Sequence, residues 1–412
     1  MGKQPSVVRT DICVIGAGAS GMTAALSAYW KNPVLKIVLV EEKERIGQKI
    51  LVTGNGRCNL SNRFMTLDSY NDEAVRYESV FRNCVSDDAF FARLGLMLFE
   101  DESGRIYPYS NQASSVLNAF LSELERTDIR VLTGRTVTGL KPGKNGITVE
   151  FSNGELLLSG SIILATGTPA SARNNRSGEL IRQIGDRFVP FVPALVPIRI
   201  RGDQFRGLKG IRLKAAVKLQ RDGKTVRQET GEVQFGDGYL GGICVMDLSR
   251  YVKNGDHQLV LDLIPDRTEP DIFSFIDLSL SRNSGTAASL LNGILPRRVG
   301  EFLMRSLFLD AFSRKADSLS GEEVHEVVSL LKHWIIPIES RCPMSQAQVC
   351  MGGADGLERE TLASACDPRV FYCGEIVNVD GRCGGFNLHW AWISGKTAGE
   401  AAASLGKEKS DA

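Results

Sequence analysis

Residues 10–41 decide how this chain is read. They contain Ile12-Cys13-Val14-Ile15-Gly16-Ala17-Gly18-Ala19-Ser20-Gly21-Met22-Thr23-Ala24-Ala25-Leu26, then Asn32-Pro33, then Lys36-Ile37-Val38-Leu39-Val40-Glu41. Four apolar residues, a glycine turn, a small-residue helix pattern and a second apolar run ending in an acid predict a strand–helix–strand unit. Gly16 permits the sharp turn, Gly18 lets backbone approach a pyrophosphate, and Gly21 lets helix and strand touch. Ala19 and Ser20 stand at the helix N-terminus, whose free N–H groups and dipole favour phosphate. Glu41 falls about 20 residues past the last glycine, where a carboxylate accepts ribose hydroxyls. The stretch predicts a dinucleotide site.

Outward from this unit, the first unusual stretch is Gly47 to Arg63. It includes Lys49 and the run Thr53-Gly54-Asn55-Gly56-Arg57-Cys58-Asn59. Gly54 and Gly56 free the backbone for close approach, and Asn55, Arg57 and Asn59 supply donors. Helices are predicted at Ser86–Leu98 and Ala113–Glu125, with a loop or short hairpin between them that carries Arg105 and Tyr107. From Arg130 the period becomes two. Strands near 130–141, 147–151 and 155–159 are punctuated by Asn145-Gly146 and Asn153-Gly154, both hairpin signals. A separate buried strand, Ser161–Leu164, ends in Ala165-Thr166-Gly167. This is a β-meander in a dinucleotide domain, with a backbone group near Val137 placed to meet an adenine.

The composition shifts around Pro190–Pro197. Strand patterns at 195–200, 211–220, 224–228, 231–235 and 257–263 predict an antiparallel, barrel-like insertion, and a helical stretch follows at about 268–333. Gly236-Asp237-Gly238-Tyr239-Leu240-Gly241 repeats the glycine spacing but lacks the strand–helix–strand context, so it reads as a mobile loop over the active site. Near the C-terminus, Gly374-Glu375 and then Asp380-Gly381-Arg382-Cys383-Gly384-Gly385-Phe386-Asn387-Leu388 lead into a last helix pattern. A second helix end suits the pyrimidine side of a flavin, where reduction places negative charge. Glu375 is placed for ribitol hydroxyls.

Composition narrows the classes. The chain has 412 residues, a net charge of +1 and nine cysteines, none in a CxxC. Interspersed charge argues against a nucleic-acid or anionic-membrane partner held by bulk charge, and scattered cysteines indicate reduced thiols in the cytoplasm. No His, Cys, Asp and Glu spacing predicts a metal, and no Gly-x-Ser-x-Gly elbow predicts a hydrolase. Cys58 and Cys383 read as packing residues rather than a redox pair.

With these motifs assembled, the chain resembles the BaiN-like and aminoacetone-oxidase-like flavoproteins, a family of NAD(P)/FAD-dependent oxidoreductases. The pieces that carry the resemblance are Gly16–Gly21, Thr53–Asn59, Ala165–Gly167 and Gly374–Leu388. It implies an α/β fold: a Rossmann-like FAD-binding domain with a parallel sheet and β-meander at 1–190 and 336–405. A β-barrel-like domain at 191–267 and a small helical subdomain at 268–335 interrupt it. It places Asn55, Gly56, Arg57, Cys58, Asn59 and Gly385–Leu388 beside the flavin. Glu42, Lys49, Thr53 and Gly54 are grouped with them as cofactor residues. Arg57, Asn59, Tyr107 and His389 are the catalytic candidates. Many relatives carry Thr-His before the inserted glycine loop, where this chain runs Phe235-Gly236-Asp237.

The expected activity is FAD-dependent, most simply NAD(P)H-linked reduction of a carbon–carbon double bond in an unsaturated, steroid-like small molecule. Oxidation of a small amine such as aminoacetone is the alternative enzyme, and a flavin-bound RNA-modifying or RNA-binding protein the alternative of another class. The oligomeric state is not legible.

Overall fold

The computed structural model describes residues 8–82, 87–170, 174–202, 205, 207–253, 257–282 and 285–408. The chain forms two compact units, one from residues 1–192 with 348–412 and the other from 193–347.

The first unit is built on a seven-stranded sheet. Strand Val8–Ile15 lies at its centre, parallel to Ile37–Val40 on one side and Leu156–Leu164 on the other. Arg130–Leu132 extends the parallel part beyond Ile37–Val40. All four residues of Ile37–Val40 are buried, the continuous apolar run expected of a strand covered on both faces. The two hairpin signals are met by the antiparallel meander of Val137–Gly143, Gly146–Phe151 and Leu156–Leu164.

Two strands expected at 155–159 and 161–164 are one. Ser159-Gly160-Ser161 looks like a turn, but Gly160 is there because a Cβ would come 2.9 Å from the Asp11 carbonyl oxygen of the neighbouring strand. This long strand forks the sheet. Its first half pairs with the meander, and its last three residues pair in parallel with Val370–Tyr372. That pairing sews the C-terminal segment into the N-terminal sheet. The helix Ala113–Glu125 falls where the pattern put it. The expected Ser86–Leu98 helix is shorter, Asp87–Arg93, and Ser86 lies outside the described residues.

The second unit is a closed antiparallel barrel of six strands with helices against it. The strands expected at 224–228 and 231–235 are one, Lys224–Phe235. Trp334–Arg341 pairs with His257–Asp262 and with Ile198–Ile200, closing the ring. The return to the nucleotide unit therefore falls at Gln348 rather than at 336. The helical stretch resolves into Glu269–Arg282, Arg297–Leu307 and Gly321–Lys332, which share one core with the barrel through Ile276, Leu303 and Leu331. The second glycine repeat is a hairpin turn in this barrel, where the Gly236 N–H donates to the Tyr239 carbonyl.

Candidate active site

The first glycine turn separates its three glycines by what surrounds them. Gly16 has φ +104°, and an added Cβ would lie 2.4 Å from the Ala165 carbonyl oxygen. A Cβ on Gly21 would lie 1.8 Å from the Gly16 carbonyl oxygen. Around Gly18 there is no atom within 4 Å of that position. Two glycines are demanded by the chain's own packing. The third faces open space at the N-terminus of helix Ala19–Lys31, where no side chain caps the exposed N–H groups. That is the cradle a pyrophosphate needs.

Glu41 bends back over the turn. Its carboxylate accepts the Ala17 N–H at 2.9 Å and the Lys43 N–H at 3.1 Å, while Glu42 is exposed. The Ser20 hydroxyl donates to the Cys373 carbonyl at 3.4 Å, so what Ser20 offers at the helix N-terminus is its backbone. Thr166 bonds Ser177, Oγ1 to Oγ, at 2.6 Å, and its carbonyl accepts from Asn175, so Ala165–Gly167 is a fixed wall of the turn.

The C-terminal segment reaches the same turn. Gly374 has φ +76°, and a Cβ on it would meet Ser20 Oγ at 2.3 Å. Its N–H donates to Ser394 Oγ, and Trp390 Nε1 donates to its carbonyl. The last helix, Phe386–Glu408, crosses the first so closely that Cβ atoms on Gly395 and Gly399 would stand 2.5 and 2.3 Å from the carbonyl oxygens of Ser20 and Ala24. Glu375 pairs with Lys49 at 2.7 Å and accepts from Thr168 Oγ1 at 3.3 Å.

The Thr53–Asn59 loop is wound left-handed. Gly54, Asn55, Gly56 and Cys58 have φ of +54°, +56°, +83° and +59°. Non-glycine residues in this region are uncommon and concentrate at functional sites. Burial pushes the Cys58 thiol up to about 11, opposed by a hydrogen bond with Thr53. It is a packed thiol, not a nucleophile. Cys383, half-buried, lies 4.0 Å from Gln348 Oε1.

The four catalytic candidates meet around this loop. Arg57 lies over the Tyr107 ring, 4.1 Å from its centroid. A Cβ on Gly54 would be 2.9 Å from the Asn59 nitrogen and 3.7 Å from Tyr107 Cε1. Asn59 is buried, and its Oδ1 has no hydrogen-bond partner among the described residues. Gly385, φ +98°, abuts it: a Cβ there would lie 2.8 Å from that oxygen and 2.4 Å from the Ser61 carbonyl oxygen. His389 Nδ1 meets Ser61 Oγ at 3.0 Å.

Asn387 is spent on its own loop. It accepts the Gly381 N–H and donates to the carbonyls of Gly381 and Arg382, so its side chain shapes the helix entrance. Phe386 packs in the core, its carbonyl accepting from Tyr70. Leu388 packs against the hydrophobic core beneath the first helix. Val137 opens a meander strand at a bulge.

Sequence reasoning missed Ser61, Thr168, Ser394 and Asn111. Ser61 belongs to the same polar run as Asn59. Asn111, whose Oδ1 accepts from Arg57 Nε at 2.6 Å, is 54 positions away and carries no local signal.

These residues fit FAD. An open glycine cradle at one helix end suits the pyrophosphate, and a buried, unpartnered acceptor at the entrance to another suits the flavin's imide N–H. The fold and this cleft define a Rossmann-type flavoprotein. The chain belongs to the HI0933-like family: the HI0933-like protein Rossmann domain matches residues 10–401.

It is 32% identical over 408 residues to a 3-dehydro-bile acid delta(4,6)-reductase of Clostridium scindens, covering 95% of this chain and 98% of that one. It is 25% identical to a ribosomal RNA dihydrouridine synthase of Escherichia coli K12, covering 94% and 96% respectively. Its fold is like that of FrdA of E. coli quinol fumarate reductase, with a TM-score of 0.51 at 14% identity over 98% of this chain and 71% of the other. The chain is a flavin-dependent oxidoreductase. Among the described residues no helix is long and apolar enough to cross a membrane.

Proposed function

We propose that this protein reduces a carbon–carbon double bond conjugated to a carbonyl, in a steroid-like small molecule, with NAD(P)H as transient reductant. One observation carries the reading: one relative is named a 3-dehydro-bile acid delta(4,6)-reductase and another a ribosomal RNA dihydrouridine synthase, and both names are those of enzymes that add hydrogen across a double bond. Bound FAD supplies hydride chemistry at that site.

The chain's own residues divide the remaining work. The Gly18 turn and Glu41 hold the nucleotide end. Lys49 and Glu375 would hold the ribitol hydroxyls. Asn59 would accept from the flavin's imide N–H, and Arg57, Tyr107 and His389 would serve the substrate. No metal and no membrane partner enter this reading. The setting is cytoplasmic, where reduced thiols and NAD(P)H coexist.

A uridine in RNA is the second reading, favoured by the dihydrouridine synthase relative. A net charge of +1 ranks it below a free small molecule, which neutralises no phosphates. Anaerobic titration of the holoenzyme separates these from the amine oxidase. NADH or NADPH bleaches the flavin if the proposal holds. Bleaching by aminoacetone, with neither nicotinamide effective, would overturn it. A salt-dependent shift of structured ribosomal RNA, with no response to an enone, would move the substrate to RNA.

A further inference from the structure

Saturating a conjugated double bond needs a proton as well as a hydride. We propose that Tyr107 donates that proton and that Asn111 is the positioning residue that holds Arg57 over its ring. The assignment rests on the double-bond reading above.

The geometry is specific. Tyr107 is 4% exposed and lies between two partners: Phe99 stacked at 5.8 Å and 26°, and the Arg57 guanidinium at 4.1 Å from the centroid. The ring edge nearest Gly54 is Cε1, the carbon adjoining the one that bears the hydroxyl. That edge of the ring therefore lies against the Gly54–Asn59 loop, and Asn59 of this loop abuts Gly385 at the start of the last helix. Arg57 is fixed in turn. Its Nε donates to Asn111 Oδ1 at 2.6 Å, and Asn111 holds φ +57° just ahead of the helix Ala113–Glu125. A non-glycine residue kept left-handed, presenting its side chain to the arginine over this ring, is a device for aiming that arginine.

The step balances. Two electrons and a hydrogen arrive at the β carbon as hydride, originally from NAD(P)H. The π pair shifts to the α carbon and carbonyl as an enolate. The Tyr107 O–H bond breaks as the α C–H bond forms, and the phenolate recovers its proton from water. Arg57 offsets the negative charge left on the ring at that moment.

The test uses holoenzyme whose flavin is reduced anaerobically with dithionite, then mixed with either a Δ4-3-oxosteroid or benzoquinone, which takes electrons without forming a C–H bond. In Tyr107→Phe, FAD affinity by fluorescence and reoxidation by quinone stay at wild-type values, while reoxidation by the enone falls about 100-fold or more. Asn111→Ala lowers kcat, expressed per bound flavin, about 10-fold with KM for the enone and the rate of quinone reoxidation unchanged, a result that an inactive or unfolded fraction does not produce once rates are normalised to flavin. Tyr107→Phe matching the wild type on the enone would overturn the assignment. Loss of FAD or of quinone reoxidation would make Tyr107 a packing residue, which also overturns it. If wild-type protein reacts with quinone but not with the enone, the double-bond reading itself falls and takes the assignment with it.

Discussion

Lys49 meets Glu375 at 2.7 Å across 326 positions of sequence, and Thr168 donates to the same carboxylate. The pair ties the segment after the first strand–helix–strand unit to the segment that closes the sheet. It is partly exposed, so its own contribution to folding is about 0–1 kcal/mol. Its contribution to cofactor binding is larger. Glu375→Gln should leave the urea midpoint of the apoprotein nearly unchanged and weaken FAD binding about 10-fold, read by fluorescence titration. Wild-type affinity in that variant would remove Glu375 from the cofactor's contacts.

Gly18 and Gly395 should respond in opposite ways. A methyl group on Gly18 meets open space, whereas on Gly395 it meets the Ser20 carbonyl oxygen at 2.5 Å. Gly395→Ala should cost about 1–3 kcal/mol in denaturant unfolding. Gly18→Ala should change stability by no more than about 0.5 kcal/mol, yet reduce FAD content on purification. Gly18→Asp should be colourless, since its carboxylate would face pyrophosphate. A yellow, fully loaded Gly18→Asp protein would place the nucleotide elsewhere.

Cys58 gives a pH prediction. Burial raises its folded value from 9.0 to about 11, so the stability tied to the protonated thiol is complete below pH about 9 and is lost as pH rises through about 11. The stability difference between wild type and Cys58→Ala should shrink across that window by about 1.4 kcal/mol per pH unit at most. A difference independent of pH would mean that the thiol is not buried. Near neutral pH, a thiol reagent should modify exposed Cys366 and half-buried Cys383 in native protein but leave Cys58 intact.

In the second unit, Ser320 caps the helix Gly321–Lys332. Its Oγ accepts the Glu323 N–H, while the Glu323 carboxylate accepts the Ser320 N–H. Arg314 grips that carboxylate at 2.6 and 2.7 Å and holds it down to about 2. The folded value is lowered, so the contribution is present above pH about 4.5 and lost as pH falls through about 2. Ser320→Ala should cost about 1 kcal/mol in thermal or urea unfolding. No loss would mean that the cap is idle in solution.

The parts of this site legible in the sequence were those whose reason is local. Gly21 is demanded by a turn a few residues long, Gly16 by its own left-handed φ as well as by the distant Ala165 carbonyl, and the left-handed Gly54–Cys58 loop is advertised by its glycines. The parts that were not legible depend on partners far along the chain. Gly160 looks like a strand break until the neighbouring backbone at Asp11 explains it. The side-chain bonds of Asn387 to the Gly381–Arg382 loop carry no signal in the sequence either. Asn111 has no signal at all, because its purpose appears only once Arg57 is folded against Tyr107.

The most direct measurement is product analysis after anaerobic incubation of FAD-loaded protein with NAD(P)H and a Δ4-3-oxosteroid. The account predicts a ketone heavier by two hydrogens, formed in step with nicotinamide oxidation. Unchanged steroid, with reduced flavin that yields its electrons only when oxygen is admitted, would contradict it.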